Sequence, residues 1–222
     1  AGIPLLELGV RQAKAAGGER VVVVTGHEAD RLEAALPALA DRVGIPVVAQ
    51  RVQDWSKPNG WSVLAGASII PGNYLLMMSD HIFSGSILTR LSQQDGSDRG
   101  VTLAVDYRCE HPLIDPDDAT WVKLDDAGFI TAIGKTIAPY DAVDCGAFLC
   151  TPELGEAIRT AIAGGKAGSL SEGMQILADA GRAATMDIGT AWWLDVDDPR
   201  AFELAEAQAP HELPEIYGAI RA

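Results

Sequence analysis

Cysteine is scarce in this sequence: Cys109, Cys145 and Cys150 are the three in 222 residues. Three thiols cannot all pair and their spacing suits no metal, so neither a disulfide framework nor a zinc site is expected, and a reducing, cytoplasmic setting follows. Basic residues are also few, 17 Lys and Arg against 31 Asp and Glu for a formal charge of −14. They are scattered along the chain, which excludes the clustered cations needed to bind nucleic acid or an anionic membrane surface. No apolar run approaches a signal h-region or the ~20 residues of a spanning helix, so a soluble chain without direct membrane insertion is expected. The histidines (His27, His81, His111, His211) lack zinc spacing, no nucleophile elbow occurs, and no GxGxxG follows a strand. Hydrolase, zinc-enzyme and dinucleotide-oxidoreductase readings are accordingly weak.

The chain does carry 48% apolar residues, enough for one large core and a single domain over 1–222. Apolar spacing predicts a helix over 4–16, closed by Gly17-Gly18, then a buried strand over 21–24, a helix over 29–39 and a strand from 47. Residues 59–70 have helical character, and the run YLLMM at 74–78 reads as a strand ending in Ser79-Asp80-His81. A strand is expected over 101–105, and 121–124 with 129–133 flank the turn Asp125-Asp126-Ala127-Gly128 as a β-hairpin. A short strand at 147–149, helices over 152–163 and 171–180 (the latter capped by Ser171), a strand over 192–196 and a helix over 199–208 complete the pattern. The tail from Pro210 is expected as a surface extension. Alternating strands and helices predict a three-layer, Rossmann-like α/β fold, with a mostly parallel mixed sheet, helices on both faces and the hairpin appended.

Ligands of open α/β sheets collect beyond the strands' carboxyl ends, which makes Asp80 a candidate metal ligand. Asp195 and Asp197 lie at a second strand end, and their spacing of two puts both on one face of an extended segment. Mg2+ prefers oxygen and is typically held by one or two carboxylates plus substrate phosphates, which suits so sparse a supply. Lys135, just past the hairpin, is placed to meet a phosphate, and Asn59-Gly60 would allow close backbone approach to a flat base. Taken singly, each of these also suits a turn cap, a helix start or a solvated surface.

Several segments together resemble one family, the CTP:inositol-1-phosphate cytidylyltransferases of the larger nucleotidyltransferase superfamily. They are VVVVTGHEAD (21–30), NGWSVL (59–64), MMSDHIF (77–83), LAVDYRCE (103–110), DPDDATWVKLDDAGFITAIGK (115–135), YDAVDCGAFLCTPEL (140–154), SLSEGMQIL (169–177) and WWLDVDDPRAFELAE (192–206). SDH and DVD are common across the superfamily, whereas DDAT, IGK and DCGAFLCTPE are closer to the inositol-phosphate branch. The resemblance implies transfer of CMP from CTP to a small phosphorylated alcohol, inositol 1-phosphate, with Mg2+ on Asp80, Asp195 and Asp197. Thr25, Gly26, Asn59, Gly60 and Ser62 would line the nucleotide base, and Lys135, Asp144, Gly146 and Glu172 would face the acceptor. Asp80, Lys135 and Asp195 would be the catalytic residues. Other acceptors, such as a sugar 1-phosphate, phosphocholine or a phosphonate, stay open, as does a non-catalytic nucleotide-binding module. So do a homodimer and a membrane-embedded CDP-alcohol phosphotransferase partner, as in some relatives. The sequence departs from the family in lacking its first strand, the GxGxRL-like loop and the PKP-like segment, and AGIPLLE resembles the stretch that normally comes after that segment. It also carries Cys145 and Asp198 where the family often has Thr, and Trp121 where it often has Lys.

Overall fold

The computed structural model describes residues 2–96 and 99–221, with the side chains of 219–221 left aside. Its elements run α1 (Leu5–Ala15), β1 (Val21–Thr25), α2 (Ala29–Val43), β2 (Val47–Arg51), α3 (Gly60–Ala67), β3 (Tyr74–Met77), β4 (His81–Phe83), α4 (Gly85–Ser92) and β5 (Val101–Asp106). The expected hairpin is formed by β6 (Trp121–Leu124) and β7 (Ile130–Gly134). Then come β8 (Ala142–Cys150), α5 (Pro152–Ala163), α6 (Leu170–Asp179), β9 (Ala183–Asp187), β10 (Trp193–Asp195), α7 (Pro199–Glu212) and α8 (Pro214–Arg221).

The fold is α/β with a mixed sheet flanked by helices, as expected, but the sheet is not mostly parallel. Among the described residues only strands β1–β2 and β5–β9 pair in parallel, while β3–β8, β5–β8, β6–β7, β6–β8 and β4–β10 are antiparallel. The cause is β8. Instead of a three-residue strand it is nine residues long, and it runs antiparallel to every neighbour. Along one edge it pairs with β5 at Val143 and Asp144 and again from Phe148 to Cys150, with a shift of register between. Along the other it pairs with β6 at Ala142 and Val143, then with β3 from Ala147 to Cys150. The change of partner falls at Asp144-Cys145-Gly146, where Gly146 adopts a φ of 75°.

Side chains alternate across this sheet, so successive residues enter different layers. Val101, Leu103, Val105, Phe148 and Cys150 pack with α5 and α6 through Leu154, Ile158, Met174 and Leu177. Ala104, Cys145, Ala147 and Leu149 face the other way, onto Ile87, Leu88 and Leu91 of α4.

Several elements depart from the sequence expectations. Helix α4 is an addition to them, with Ile87, Leu88 and Leu91 as its buried face. Strand β9 is another: AATMD has little intrinsic strand preference, and its pairing with β5 in a buried sheet decides the matter. Helix α6 is capped by Ser169, not Ser171, in a capping box closed by Glu172. The tail past Pro210 is no surface extension, because it forms α8 and buries Leu213, Ile216 and Tyr217 against Leu8, Ile82 and Leu194. Among the described residues no helix is long and apolar enough to cross a membrane.

Candidate active site

A cleft of about 380 Å³ opens where β8 changes neighbours. Asp144 and Gly146 of β8 line it together with Asp80, His81, Lys135, Asp195, Asp197 and much of the 112–120 segment. The β4–β10 ladder brings distant carboxylates together. Asp195 of β10 sits opposite His81 of β4, and the Val196 N–H donates to the Asp80 carbonyl at 3.0 Å. As a result, one ligand atom each from Asp80, His81 and Asp195 lie within 4.8 Å of one another, and the same holds for Asp118, Asp195 and Asp197.

The donor chemistry fits a hard divalent cation, which takes carboxylate oxygens. Asp195 Oδ1 is buried without a hydrogen-bond partner. Burial pushes the Asp195 carboxyl up to about 6; His81 opposes that rise, and the negative charges of Asp80, Asp197 and Asp118 add to it. A cation held here would satisfy the orphan oxygen and relieve the repulsion. Burial likewise raises Asp144 to about 6 against the hydrogen bond it accepts from the Gly146 N–H. Asp80 is instead held below the ordinary aspartate value, chiefly by its hydrogen bond with His81.

The wall behind His81 is fixed by a buried charge. Trp193 stacks on the imidazole, with centroids 5.8 Å apart, and its indole N–H donates to Asp106 Oδ2 at 2.9 Å. Arg108 forks onto both Asp106 oxygens at 2.8 Å. Burial opposes ionisation of Asp106, but the Arg108 fork, the indole N–H and the Arg108 backbone N–H outweigh it and hold its pKa low. A depressed folded-state value stabilises the fold fully above the unfolded value of about 3.9, and that contribution is lost as pH falls through the folded one. Asp106→Asn is therefore expected to cost about 2 kcal/mol at pH 7, less than a fully buried pair because Arg108 is partly exposed. The gap between wild type and variant in urea melts should shrink as pH is lowered below about 4.

No family model matches the chain. Among the curated relatives are proteins named bifunctional IPC transferase and DIPP synthase. The one from Rubrobacter xylanophilus is 34% identical over 207 residues, covering 93% of this chain and 45% of that protein. The one from Aquifex aeolicus is 30% identical over 150 residues, covering 68% and 32%. The chain thus spans less than half the length of these curated relatives. Among solved structures, the inositol-1-phosphate CTP transferase from T. maritima superposes with a TM-score of 0.81 at 21% identity, covering 96% of this chain and 85% of that one. A UDP-glucose pyrophosphorylase from Acinetobacter baumanii gives 0.75 at 16%, covering 98% and 86%. The chain belongs to the inositol-1-phosphate cytidylyltransferase family.

Of the residues that family resemblance nominated, Asp80, Asp195, Asp197, Lys135, Asp144, Gly146 and Asn59 line the one cleft, whereas Thr25, Gly26, Gly60, Ser62 and Glu172 do not. Thr25 is buried, and its hydroxyl donates to Glu33. A Cβ on Gly26 would stand 2.5 Å from Trp55 Cβ, so glycine there admits the 52–55 turn. Gly60 admits backbone too, since an added Cβ would run into the Gly168 carbonyl oxygen. Asn59 Oδ1 accepts from the Leu170 N–H, and Glu172 Oε2 accepts from the Gly168 and Ser169 N–H groups. Asn59 and Gly60 thereby join the start of α3 to the start of α6, whereas Glu172 closes the N-terminal cap of α6 itself. Lys135 stands at the cleft but is paired with Asp118 at 2.5 Å, both half-exposed. Sequence reasoning gave no role to Asp118 or His81. The DDAT motif was the available signal for Asp118, and the position directly after Asp80 for His81.

Proposed function

We propose that the chain transfers a cytidylyl group from CTP to inositol 1-phosphate, giving CDP-inositol and pyrophosphate. The observation that carries this reading is the convergence of Asp80 and Asp195, from two strand ends, on one cleft that Lys135 also lines. In the reaction an acceptor phosphate oxygen attacks the α-phosphorus in line. An O–P bond to the acceptor forms as the bond to the bridging oxygen breaks, and pyrophosphate departs with that electron pair. The acceptor phosphate is already anionic near neutral pH, so no dedicated general base is required.

Asp80 and Asp195, with Asp197 beside them, would hold Mg2+. When bound, that ion neutralises triphosphate charge and fixes its geometry. Lys135, exchanging Asp118 for the acceptor phosphate, would orient the nucleophile, which is where such reactions gain most of their rate. The names of the relatives favour inositol phosphate as acceptor and CTP as donor, and their bifunctional naming supports a CDP-alcohol phosphotransferase as consumer of the product. Residues 1–222 are read as one nucleotidyltransferase domain. Among the described residues β1 pairs only with β2 and β3 only with β8, leaving sheet edges that could accept the further strand expected from the resemblance.

Pyrophosphate release tests the assignment across CTP, UTP, dTTP and ATP, each with inositol 1-phosphate, glucose 1-phosphate and phosphocholine. The CTP and inositol 1-phosphate pair is expected to be fastest. Preference for another pair moves the substrate assignment, and no release with any pair leaves the non-catalytic module.

A further inference from the structure

His81 lies at the centre of the candidate site without a place in the reaction outlined above. Its Nδ1 is 2.8 Å from Asp80 Oδ1 and 3.5 Å from Asp195 Oδ1. Asp80, held ionised, only accepts, so Nδ1 carries the hydrogen of that bond. The ring has almost no freedom. It is stacked between Trp193, at 5.8 Å and 16°, and Phe83, at 6.1 Å and 29°, and only 12% of its side chain is exposed. Its opposite edge rests on Gly146, where a Cβ would come within 2.5 Å of Cδ2 and 2.8 Å of Nε2. Trp193 is itself anchored to buried Asp106.

We propose that His81 is a positioning residue, its Nδ1–H fixing the Asp80 carboxylate by a hydrogen bond while the same ring edge faces the unpartnered Asp195 Oδ1 at 3.5 Å, so that the two carboxylates keep the separation a shared divalent cation requires. Two carboxylates at this distance repel, and the N–H between them opposes their splaying before a cation arrives. The ring is held by apolar stacking and a bare glycine rather than by further polar partners, so its N–H direction is set by packing. An imidazole nitrogen is a poor ligand for a hard cation, which separates this role from direct ligation. The inference rests on the metal-dependent reading above, and its test separates the two.

Mn2+ binding to the 222-residue chain, followed by the electron paramagnetic resonance of the free ion, requires no turnover. His81→Phe keeps both stacks and removes the N–H. His81→Asn loses the stacks but restores an N–H near the Nδ1 position. Relative to wild type, the Phe variant is expected to bind Mn2+ about tenfold more weakly with an unchanged melting temperature, as when outer partners of metal ligands are removed. The Asn variant, with an N–H but without the stacks that aim it, should recover part of that loss. Wild-type binding by His81→Phe overturns the clamp while leaving the metal reading intact. So does a loss confined to the nitrogen-preferring Ni2+ with Mg2+ competition unchanged, which would make His81 a ligand. No Mn2+ binding by the wild type, or binding that Asp80→Asn leaves unaltered, removes the metal reading and the clamp with it.

Discussion

Asp80→Asn should lower the turnover of CTP with inositol 1-phosphate by at least about 10²–10³-fold, equivalent to roughly 3–4 kcal/mol of transition-state stabilisation. The substitution keeps the shape and removes the charge. Asp80 anchors the chain through its backbone carbonyl, which accepts from Val196, and that bond survives the change. Its side chain is half-exposed and hydrogen-bonds to His81, so the melting temperature should move by no more than a degree or two. The loss should appear in kcat and in the Mg2+ concentration dependence together, because a neutral amide is a weaker ligand for a hard cation. Near-normal turnover of the variant at ordinary Mg2+ would show that the convergence of Asp80 and Asp195 serves something other than metal binding.

The second large effect is expected at Gly146. Its φ of 75° lies where an L side chain is strained, and an added methyl would sit inside the His81 ring. Flanking strand pairing holds the backbone: Met78 N–H donates to the Gly146 carbonyl at 2.9 Å, and Gly146 N–H donates to Asp144 Oδ1 at 2.7 Å. The imidazole is the part able to move. Gly146→Ala is therefore expected to cost about 1–2 kcal/mol of stability from the positive φ. Turnover should fall by about 10²-fold, as misplacement of an active-site group by about 1 Å can do. Measuring kcat beside a denaturant melt tells the two apart. A variant that lost stability yet kept its rate would show that the room left by Gly146 is unrelated to catalysis.

The local elements were largely legible. The apolar spacing of 4–16 and 152–163, the valine run at 21–24 and the turn at 125–128 each carry their own signal, and the corresponding elements formed with shifts of one to a few residues. Strand β9 and the inner half of β8 were illegible for one shared reason. Their conformation is imposed by neighbours in the sheet, and residues such as Ala183, Ala184 and Gly146 have little strand preference of their own.

For the site the division runs along the same line. Asp80, Asp195, Asp197 and Lys135 could be nominated because each stands just where a strand or hairpin ends, and resemblance to a family added Asp144 and Gly146. Glu172, Gly60 and Asn59 show the limit of that approach. A motif records that a residue type is needed without recording why, and in the structure Asn59 and Gly60 join α3 to α6 while Glu172 caps α6. From the sequence alone came the α/β class, the family and a short set of candidate carboxylates, since these rest on periodicity, strand ends and motif order, all of which are local along the chain. Only the tertiary structure decided that β8 reverses most of the sheet, that the Asp80 and Asp195 carboxylates share one imidazole, and that Asp118 already holds Lys135. The first two depend on strand register between segments distant in the chain, for Asp80 and Asp195 more than a hundred residues apart, where a one-residue slip would turn each side chain to the opposite face.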